Sequence, residues 1–548
     1  MNKWLVVLLV VVSIVVASCE DGAVKIRGKK FTLRNLSINP FNSFSDVFVD
    51  SSTLEQFIVK EDLDSTTADN LRSFYNSRNY QYAWFTKKGL NGPGLAFWNL
   101  LNGHIYHSKD SSLFDRELAN QLEFFIDGDE IKKKNKAALD EAELKLTRQF
   151  FIYAEVAYEG RVDPEELQWF IPRKRVDALA LLDSLVNSDG KDIERWEPVN
   201  EQYKSLKKEL IRFNAIARKG GWPTIPEGDK KSWKKGDSSG VIYAVKHRLF
   251  LGGDLPQFDS TGLYDAKLEA AVHRAQKRFG FHEDGVIDAG LVKALNVPAK
   301  DRIEQILINL ERMRWLPEKQ SPNRIVANIP EFKIHVYEDN KEVMEMNIVV
   351  GKQGHNTVIF NDELKYIVFS PYWNVPASIV KNEILPSMEK NPGYLASQNM
   401  EQTGTRGGAP VIRQKPGPNN ALGRVKFLFP NNHNIYFHDT PAKSLFSREK
   451  RAYSHGCMRL ADAEKLANYL LRDKSEWTPE KIRSAMHSGS EKWVTLDKPV
   501  PVVISYFTAW VDNQGMLNFR EDIYKHDAEM AERMFIHQTA DSTSVAVK

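Results

Sequence analysis

The spacing of apolar residues changes once along this 548-residue chain, and the change separates a helical part from a β part. Over residues 51–314 apolar side chains recur at helical spacing, as in Leu268, Ala271 and Val272. Over residues 332–350 they alternate on every second position around a turn candidate, which predicts a β-hairpin with one buried face. We therefore predict an α+β multidomain protein whose C-terminal half contains a mainly-β domain.

Length, turn residues and linker composition predict several segments rather than one core. In order, they are a targeting segment (1–18), a tether (19–50), an all-α scaffold (51–235), a small three-helix module (236–298), a linking helix (299–323), the mainly-β domain (324–510) with an inserted helical lid at about 371–430, and an unassigned C-terminal extension (511–548).

Charge is nearly balanced, with 75 basic and 72 acidic side chains and a formal net charge of +3. A balance of this kind lacks the basic footprint of a nucleic-acid-binding protein, so no nucleic-acid partner is predicted. The sequence predicts no particular protein partner.

The N-terminus contains the apolar run Trp4–Ala17, which is short for a bilayer span and has the length of a signal-peptide core. The segment Val16-Ala17-Ser18-Cys19 that ends it resembles a bacterial lipobox. This resemblance implies a lipidated Cys19 and a periplasm-facing, lipid-anchored protein of the cell envelope, at the outer membrane. The alternative is an ordinary cleavage site that a cysteine happens to follow.

Cys457 is the only other cysteine, so a lipidated Cys19 leaves it without a disulfide partner. It is either a small buried apolar residue or a nucleophile. Gly456 permits close backbone approach, and Arg459 and His455 supply positive charge that would stabilise a thiolate. A helix predicted to begin near residue 462 would favour negative charge as well.

His438 ends a strand-like run in which Tyr436 and His438 fall on one face and Ile435 and Phe437 on the other. The imidazole can therefore point away from the core, where it would be available as a base.

The order of these residues is informative. His438-Asp439-Thr440, followed after a loop by Ser454-His455-Gly456-Cys457-Met458-Arg459, resembles the YkuD-type L,D-transpeptidase catalytic domain. Other segments resemble the large multidomain class that includes the enterobacterial enzyme forming 3-3 cross-links. They are Phe74-Tyr75, Asn79-Tyr80, Trp84-Phe85, Glu311-Arg312, Arg314-Trp315-Leu316-Pro317, Asn328-Ile329-Pro330, Val349-Val350-Gly351-Lys352 and Pro371 to Pro376.

Within the small module, Tyr264-Asp265, Ala275-Gln276, Phe279-Gly280 and Asp284-Gly285 resemble the peptidoglycan-binding-like module. The resemblance implies a wall-binding role. The alternative is a three-helix spacer that binds nothing.

The family resemblance implies a reaction between peptidoglycan stem peptides, donor and acceptor. Cys457 attacks a tetrapeptide stem, D-alanine leaves, and the thioester is passed to an amine of a second stem to give a 3-3 cross-link. His438 serves as general base and acid, oriented by the backbone carbonyl of Asp439 rather than its carboxylate, because adjacent strand residues point to opposite faces. No cofactor and no metal are implied.

Further site roles follow from the same resemblance. The backbone N–H groups of Cys457 and Gly456, with the His455 ring, would form the oxyanion hole, although His455 can equally be structural. Arg459 and Ser454 are substrate-binding candidates, with the alternative that Arg459 only orders the start of the helix. Tyr372, Trp373 and Asn374 would line the donor cleft, or belong to an aromatic core.

Two other classes of function remain open. The chain could be a non-catalytic anchor between membrane and wall, against which the presence of both His438 and Cys457 argues. It could also use the same thioester with water, a lipoprotein lysine or a free D-amino acid as acceptor. Acylation of Cys457 by carbapenems is expected from the resemblance.

Overall fold

The structure is a computed structural model that describes residues 23–26, 29–39, 41–127, 136–193 and 197–535. The predicted targeting segment and Cys19 lie outside the described residues. None of the helices in these ranges combines the length and apolar character that a bilayer crossing requires.

The described chain divides into two compact units. One holds the residues up to Arg161 together with Lys174–Val199, and the other holds Val162–Arg173 and residues 200–535. The division differs from the predicted scaffold of residues 51–235. Trp169, within the shorter segment, packs edge-on against Trp315 at 5.3 Å between ring centroids, which ties residues 162–173 to the second unit.

The first unit is mainly helical. Its strands form two short hairpins, β1 (Ala23–Ile26) with β2 (Lys29–Thr32) and β3 (Phe85–Thr86) with β4 (Gly89–Leu90). Its helices are α1 (Ser51–Lys60), α2 (Ser65–Ser77), α3 (Gly92–Ser108), α4 (Arg116–Asp127), α5 (Lys136–Ala154) and α6 (Ala178–Asn187).

Aromatic rings fill the centre of this unit. Trp84 stacks on Phe97 at 5.4 Å between ring centroids, and Phe97 meets Phe150 edge-on at 5.1 Å. Glu143 is fully buried there and accepts hydrogen bonds from the N–H groups of Ala83 and Trp84. A buried carboxylate of this kind requires such donors, so it fixes the chain around Trp84.

The second unit begins with a helix and the small module. The elements are α7 (Glu201–Arg218), β5 (Ser232–Trp233), α8 (Gly240–Gly252), α9 (Ala266–Phe279), β6 (Ile287–Asp288) and α10 (Ala289–Leu295). Helices α8, α9 and α10 confirm the predicted three-helix module. Asp265 caps α9 by accepting from Leu268 N, and Gly280 ends it in the left-handed conformation. The Tyr264 hydroxyl, buried in the module, donates to Gly285 O at 2.6 Å.

Helix α11 (Ala299–Arg314) follows, at the place of the predicted linking helix. It is an integral part of the second unit, because Asn309 donates to Thr508 Oγ1 at 2.8 Å and Arg312 pairs with Asp527 at 2.6 Å between nitrogen and oxygen. Thr508 lies within the predicted mainly-β domain, and Asp527 lies beyond its predicted end at residue 510.

The rest of the unit contains fourteen strands and six helices. The strands are β7 (Arg324–Asn328), β8 (Lys333–Glu338), β9 (Lys341–Gly351), β10 (Asn361–Phe369), β11 (Trp373–Asn374), β12 (Met400–Arg406), β13 (Ala409–Gln414), β14 (Val425–Leu428), β15 (Phe437–His438), β16 (Ala452–Ser454), β17 (Met458–Leu460), β18 (Lys492–Ser505), β19 (Ala509–Val511) and β20 (Leu517–Phe519). The helices are α12 (Ala377–Ile379), α13 (Leu385–Lys390), α14 (Tyr394–Ser397), α15 (Ala463–Leu471), α16 (Pro479–Met486) and α17 (His526–Met534).

The main sheet closes on itself. Its strands pair in the order β9, β17, β15, β14, β10, β18, β7, β8, and β8 pairs again with β9. Strand β16 adds in parallel to the end of β9. The predicted hairpin is confirmed as β8 and β9, with Ile334, Val336 and Ile348 buried in the core. The fold therefore confirms a mainly-β domain beside helical segments.

The predicted lid is a small subdomain, which we call the insertion. It contains helices α12 to α14 and a three-stranded sheet in the order β11, β13, β12. Val375, Ile379, Val380 and Ile384 pack with Ile412 in a core of their own. The main sheet resumes at β14, so the insertion ends earlier than the predicted residue 430.

The C-terminal extension also differs from the prediction. Strands β19 and β20 pair with each other, and Ile523, Tyr524 and Met530 belong to the same buried core as the main sheet. The mainly-β domain therefore continues beyond residue 510 through α17, because its core is completed by these side chains.

Candidate active site

Strands β15 and β17 bring the predicted nucleophile and base to one face of the main sheet. They run parallel, with Phe437 opposite Met458 and His438 opposite Arg459. Phe437 and Met458 are fully buried in the core. Because successive side chains alternate between faces, His438, Arg459 and Cys457 lie together on the other face, with Cys457 two residues before the partner of His438.

His438 is buried and positioned by backbone. Its Nδ1 lies 2.5 Å from the carbonyl oxygen of Asp439, which leaves Nε2 as the unprotonated nitrogen of the neutral ring when Nδ1 donates. Burial and the nearby Arg459 charge lower the pKa of His438 to about 4, against the backbone hydrogen bonds of Asp439 and Leu422 and the Asp439 charge, which raise it. The imidazole is therefore neutral at pH 7 and able to accept a proton.

The Asp439 carboxylate points elsewhere. It accepts from the Arg424 N–H at 2.9 Å and from Lys443 Nζ at 2.7 Å. Gly423 passes close to it with a positive φ of 62°, where an added Cβ would collide with the carboxylate. The carboxylate thus braces the turn before β14.

Cys457 is protonated in the resting geometry. Its thiol donates to Asn434 O, with 3.3 Å between sulfur and oxygen. Burial raises the pKa of the Cys457 thiol to about 11, against hydrogen bonding from Tyr436 and the charge of Arg459, which both lower it. We expected neighbouring cations to stabilise a thiolate; here the cost of burying the charge outweighs them.

One further expectation about the residues around Cys457 needs correction, and one residue of the site was missed. Strand β17 separates Cys457 from α15, whose N-terminus is capped by Asp462 accepting from Lys465 N, so the helix end does not adjoin the sulfur. Tyr436, which hydrogen bonds with Cys457, was given no role from the sequence. Its alternation with His438 on the strand was the signal that it shares this face.

Ser454 is not open to a substrate, contrary to the prediction. It is buried, and its hydroxyl donates to Cys457 O at 2.6 Å. The Ser454 Oγ also accepts a hydrogen bond from the Gly456 N–H at 3.1 Å. The Gly456 N–H, one of the groups predicted for the oxyanion hole, is therefore already engaged. Gly456 has a φ of 117°, which explains why glycine is needed there.

His455 faces the insertion. Its Nε2 lies 2.9 Å from Glu383 Oε1, and its ring meets His355 edge-on at 4.9 Å between centroids. Glu383 belongs to the segment between α12 and α13. The ring thus links the insertion to residues 455–457 between β16 and β17, which we call the cysteine loop. This is the arrangement of a supporting side chain.

Arg459 carries a positive charge on the same face as His438 and Cys457. Its Nε is buried without a hydrogen-bond partner within the described chain. Burial lowers the pKa of Arg459, and the nearby cysteine opposes this. A guanidinium whose Nε has no hydrogen-bond partner is suited to binding a carboxylate.

The aromatic candidates belong to the insertion. The Tyr372 ring lies 4.2 Å from the Arg413 guanidinium, and Trp373 packs against the core of the insertion. Trp373 and Asn374 form β11, which pairs with Arg413 and Gln414. Asn374 is exposed.

Three family models match separate parts of the chain. Residues 322–504 match the "L,D-transpeptidase catalytic domain" (YkuD), residues 69–210 the "Scaffold domain", and residues 246–295 the "Putative peptidoglycan binding domain". The chain carries an L,D-transpeptidase catalytic domain.

A curated relative supports the same assignment. The chain is 30% identical over 243 residues to a protein of Haemophilus influenzae (strain ATCC 51907 / DSM 11121 / KW20 / Rd) described as "Putative L,D-transpeptidase". The match covers 41% of this chain and 49% of the relative, so the chain spans about half the length of that relative.

Similar solved structures include L,D-transpeptidases of other organisms. One from Stackebrandtia nassauensis is 14% identical, with 52% of this chain and 96% of that chain covered and a TM-score of 0.22. One from Mycobacterium smegmatis is 14% identical, with 34% and 58% covered and a TM-score of 0.19.

Proposed function

We propose that the chain is an L,D-transpeptidase that forms 3-3 cross-links between peptidoglycan tetrapeptide stems through a thioester on Cys457. The observation that carries the proposal is the shared face of His438 and Cys457 within the matched catalytic domain. The matched peptidoglycan-binding module supports peptidoglycan as the substrate.

In the first half-reaction the His438 Nε2 takes the thiol proton as the sulfur attacks the carbonyl carbon of the third residue of the donor stem. Because burial holds His438 neutral and Cys457 protonated, attack and proton transfer occur together. The C–N bond to D-alanine then breaks, and the proton held by His438 passes to the leaving amine.

In the second half-reaction the side-chain amine of an acceptor stem attacks the thioester. His438 accepts a proton from that amine, the C–S bond breaks, and the proton returns to sulfur. One amide bond is broken and one is formed, so the reaction needs no external energy source. The Cys457 N–H would stabilise the oxyanion in both halves.

The unpartnered Arg459 Nε supports a role in holding a stem carboxylate near the sulfur. Hydrogen bonds from a planar guanidinium to a carboxylate are strong and directional. We assign Arg459 this role, and His455 a supporting one through Glu383.

The test is incubation of the full chain with purified disaccharide-tetrapeptide, followed by mass spectrometry. A dimer that has lost one D-alanine, absent with Cys457→Ala, would support both reaction and nucleophile. Tripeptide alone would mean that water is the acceptor. The absence of both dimer and tripeptide would refute the proposal. With an added D-amino acid, a product of new mass would show exchange. With an added lysine-ending peptide, a product of new mass would show ligation.

The covalent step can be tested separately with a carbapenem. Acylation should add one inhibitor mass to the peptide that contains Cys457 in the parent and none in Cys457→Ala. Parent protein that stays unmodified would contradict the thioester chemistry.

We also propose that the protein is lipid-anchored at Cys19 and faces the periplasm from the outer membrane. The support is the lipobox-like segment before Cys19. Mass spectrometry of the N-terminal peptide should show acyl chains on Cys19, and Cys19→Ser should release the protein from membranes. An unmodified Cys19 would contradict the proposal.

A further inference from the structure

A chain of buried hydrogen bonds connects the C-terminal extension to the cysteine loop. It starts at Tyr524, which lies between β20 and α17, outside the residues matched by the catalytic-domain model. The ring is buried and stacked on Tyr506 at 5.6 Å between centroids. Its place in the core fixes the position of the hydroxyl.

The Tyr524 hydroxyl bridges two backbone groups. It donates to Gly351 O at 2.6 Å and accepts from the Thr357 N–H at 3.3 Å. The Gly351 N–H in turn donates to Thr357 Oγ1 at 3.0 Å. Tyr524, Gly351 and Thr357 thus form a closed set of three hydrogen bonds at the end of β9.

The third member of this set reaches the cysteine loop. Thr357 Oγ1 donates to Gly456 O at 2.7 Å, and Thr357 is almost fully buried. The hydroxyl accepts from the Gly351 N–H and donates to Gly456 O, so it links the end of β9 to the residue before Cys457.

The held carbonyl determines where the next N–H points. In a planar trans peptide the C=O and N–H groups point in opposite directions. Since the Gly456 C=O is directed to Thr357, the Cys457 N–H of the same peptide is directed away from it. The positive φ of Gly456 means that the loop has no strong preference of its own for this orientation.

We propose that Tyr524 is a positioning residue of the transpeptidase reaction: through Thr357 it orients the Gly456–Cys457 peptide so that the Cys457 N–H meets the oxyanion. The inference rests on the proposed function. In this proposal the C-terminal extension contributes to the reaction through Tyr524, which positions the Gly456–Cys457 peptide and does not itself contact substrate.

The experiment compares Tyr524→Phe with Tyr264→Phe. The first removes only the bridging hydroxyl and keeps the ring stacked on Tyr506. The second is the matched control, because Tyr264 is equally buried and its hydroxyl also donates to a backbone carbonyl at 2.6 Å, in the small module. Each variant is measured for carbapenem acylation of Cys457, for kcat and KM with disaccharide-tetrapeptide, and for alkylation by iodoacetamide.

We expect Tyr524→Phe to lower the acylation rate and kcat by about tenfold or more, with KM unchanged, since one oxyanion donor loses its orientation. Alkylation by iodoacetamide forms no oxyanion and should keep the parent rate. Tyr264→Phe should match the parent in carbapenem acylation and in iodoacetamide alkylation, the two measurements that involve no peptidoglycan. An unchanged acylation rate in Tyr524→Phe, or an equal loss of acylation and alkylation, would overturn the inference.

Thr357 gives a second, independent arm should Tyr524→Phe fold poorly. Thr357→Ser keeps the hydroxyl and should retain the parent acylation rate, whereas Thr357→Val should lose as much as Tyr524→Phe. Equal rates for the two Thr357 variants would refute the path. A parent that is not acylated at all would instead refute the proposed function, so the two failures are distinguishable.

Discussion

His438 is oriented by the backbone carbonyl of Asp439, while the carboxylate of the same residue is turned to Lys443 and to the Arg424 N–H. In the proposed mechanism, therefore, no acidic side chain hydrogen bonds with His438. Orientation by a carbonyl fixes the tautomer as a carboxylate would, and the Asp439 charge acts on the ring only through space.

This relationship predicts a small effect for Asp439→Asn. The amide oxygen can still accept from the Arg424 N–H, and the backbone partner of His438 is untouched. Turnover of disaccharide-tetrapeptide should stay within about tenfold of the parent, against the roughly 10⁴-fold loss typical of a triad carboxylate. His438→Ala is the control that should abolish turnover, and a loss of similar size in Asp439→Asn would contradict the assignment.

The protonated resting thiol predicts a particular pH profile. With the pKa of Cys457 raised to about 11 by burial, the thiolate fraction rises about tenfold per pH unit below that value. The rate of iodoacetamide modification of the Cys457 peptide should rise steadily from about pH 7 to about pH 10. Arg459→Gln should be slower throughout, because removing the cation raises the thiol pKa further. A plateau already reached near pH 7 would indicate a preformed ion pair instead.

Two glycine variants distinguish the effect of backbone strain on turnover from the effect of displacing the Asp439 carboxylate. Gly423→Ala and Gly407→Ala both place a side chain at positive φ, 62° and 56°, so each should cost about 1 kcal/mol of stability. Only at Gly423 would the new Cβ collide with the Asp439 carboxylate.

Turnover should therefore fall about tenfold in Gly423→Ala and stay at the parent level in Gly407→Ala, when both are assayed well below their thermal transitions. Equal turnover in the two variants would show that the Asp439 turn does not control His438.

The contact between Glu383 and His455 predicts a change in the mobility of the insertion. Glu383→Gln should speed hydrogen exchange of residues 377–390 by about two- to fivefold, the range expected for weakening of one exposed polar contact. Glu389→Gln, exposed on the same stretch, is the control and should leave exchange unchanged. No difference between the variants would mean that the insertion is held by its own packing alone.

Much of the fold was predictable from periodicity. The alternation in residues 332–350 identified β8 and β9, and helical spacing identified the module, because both patterns arise from one buried face. Strand β12 was missed because nearly all of Met400–Arg406 is polar or exposed and carries no alternation. The strands of the C-terminal extension, only three residues each, were too short to leave a pattern.

For the candidate site, the sequence indicated which residues come together but not how their hydrogen bonds are used. Strand alternation placed His438 on the same face as Tyr436, and the structure adds Cys457 through the β15–β17 register. Nothing in the sequence could indicate that the Ser454 hydroxyl occupies the Gly456 N–H, since loop hydrogen bonding depends on atomic positions. The expected lowering of the thiol pKa by Arg459 is present, but the larger rise caused by burial is a property of the packed domain that the sequence does not show.

The insertion leaves and rejoins the main sheet at one point. Phe369 at the end of β10 is opposite Val425 at the start of β14, and the Ser370 N–H donates to Arg424 O at 2.8 Å. A tight turn from Ser370 to Arg424 in place of the insertion would leave the closed ring of strands intact. The architecture is thus modular: the insertion has its own core and can be exchanged without breaking the ring of strands that holds His438.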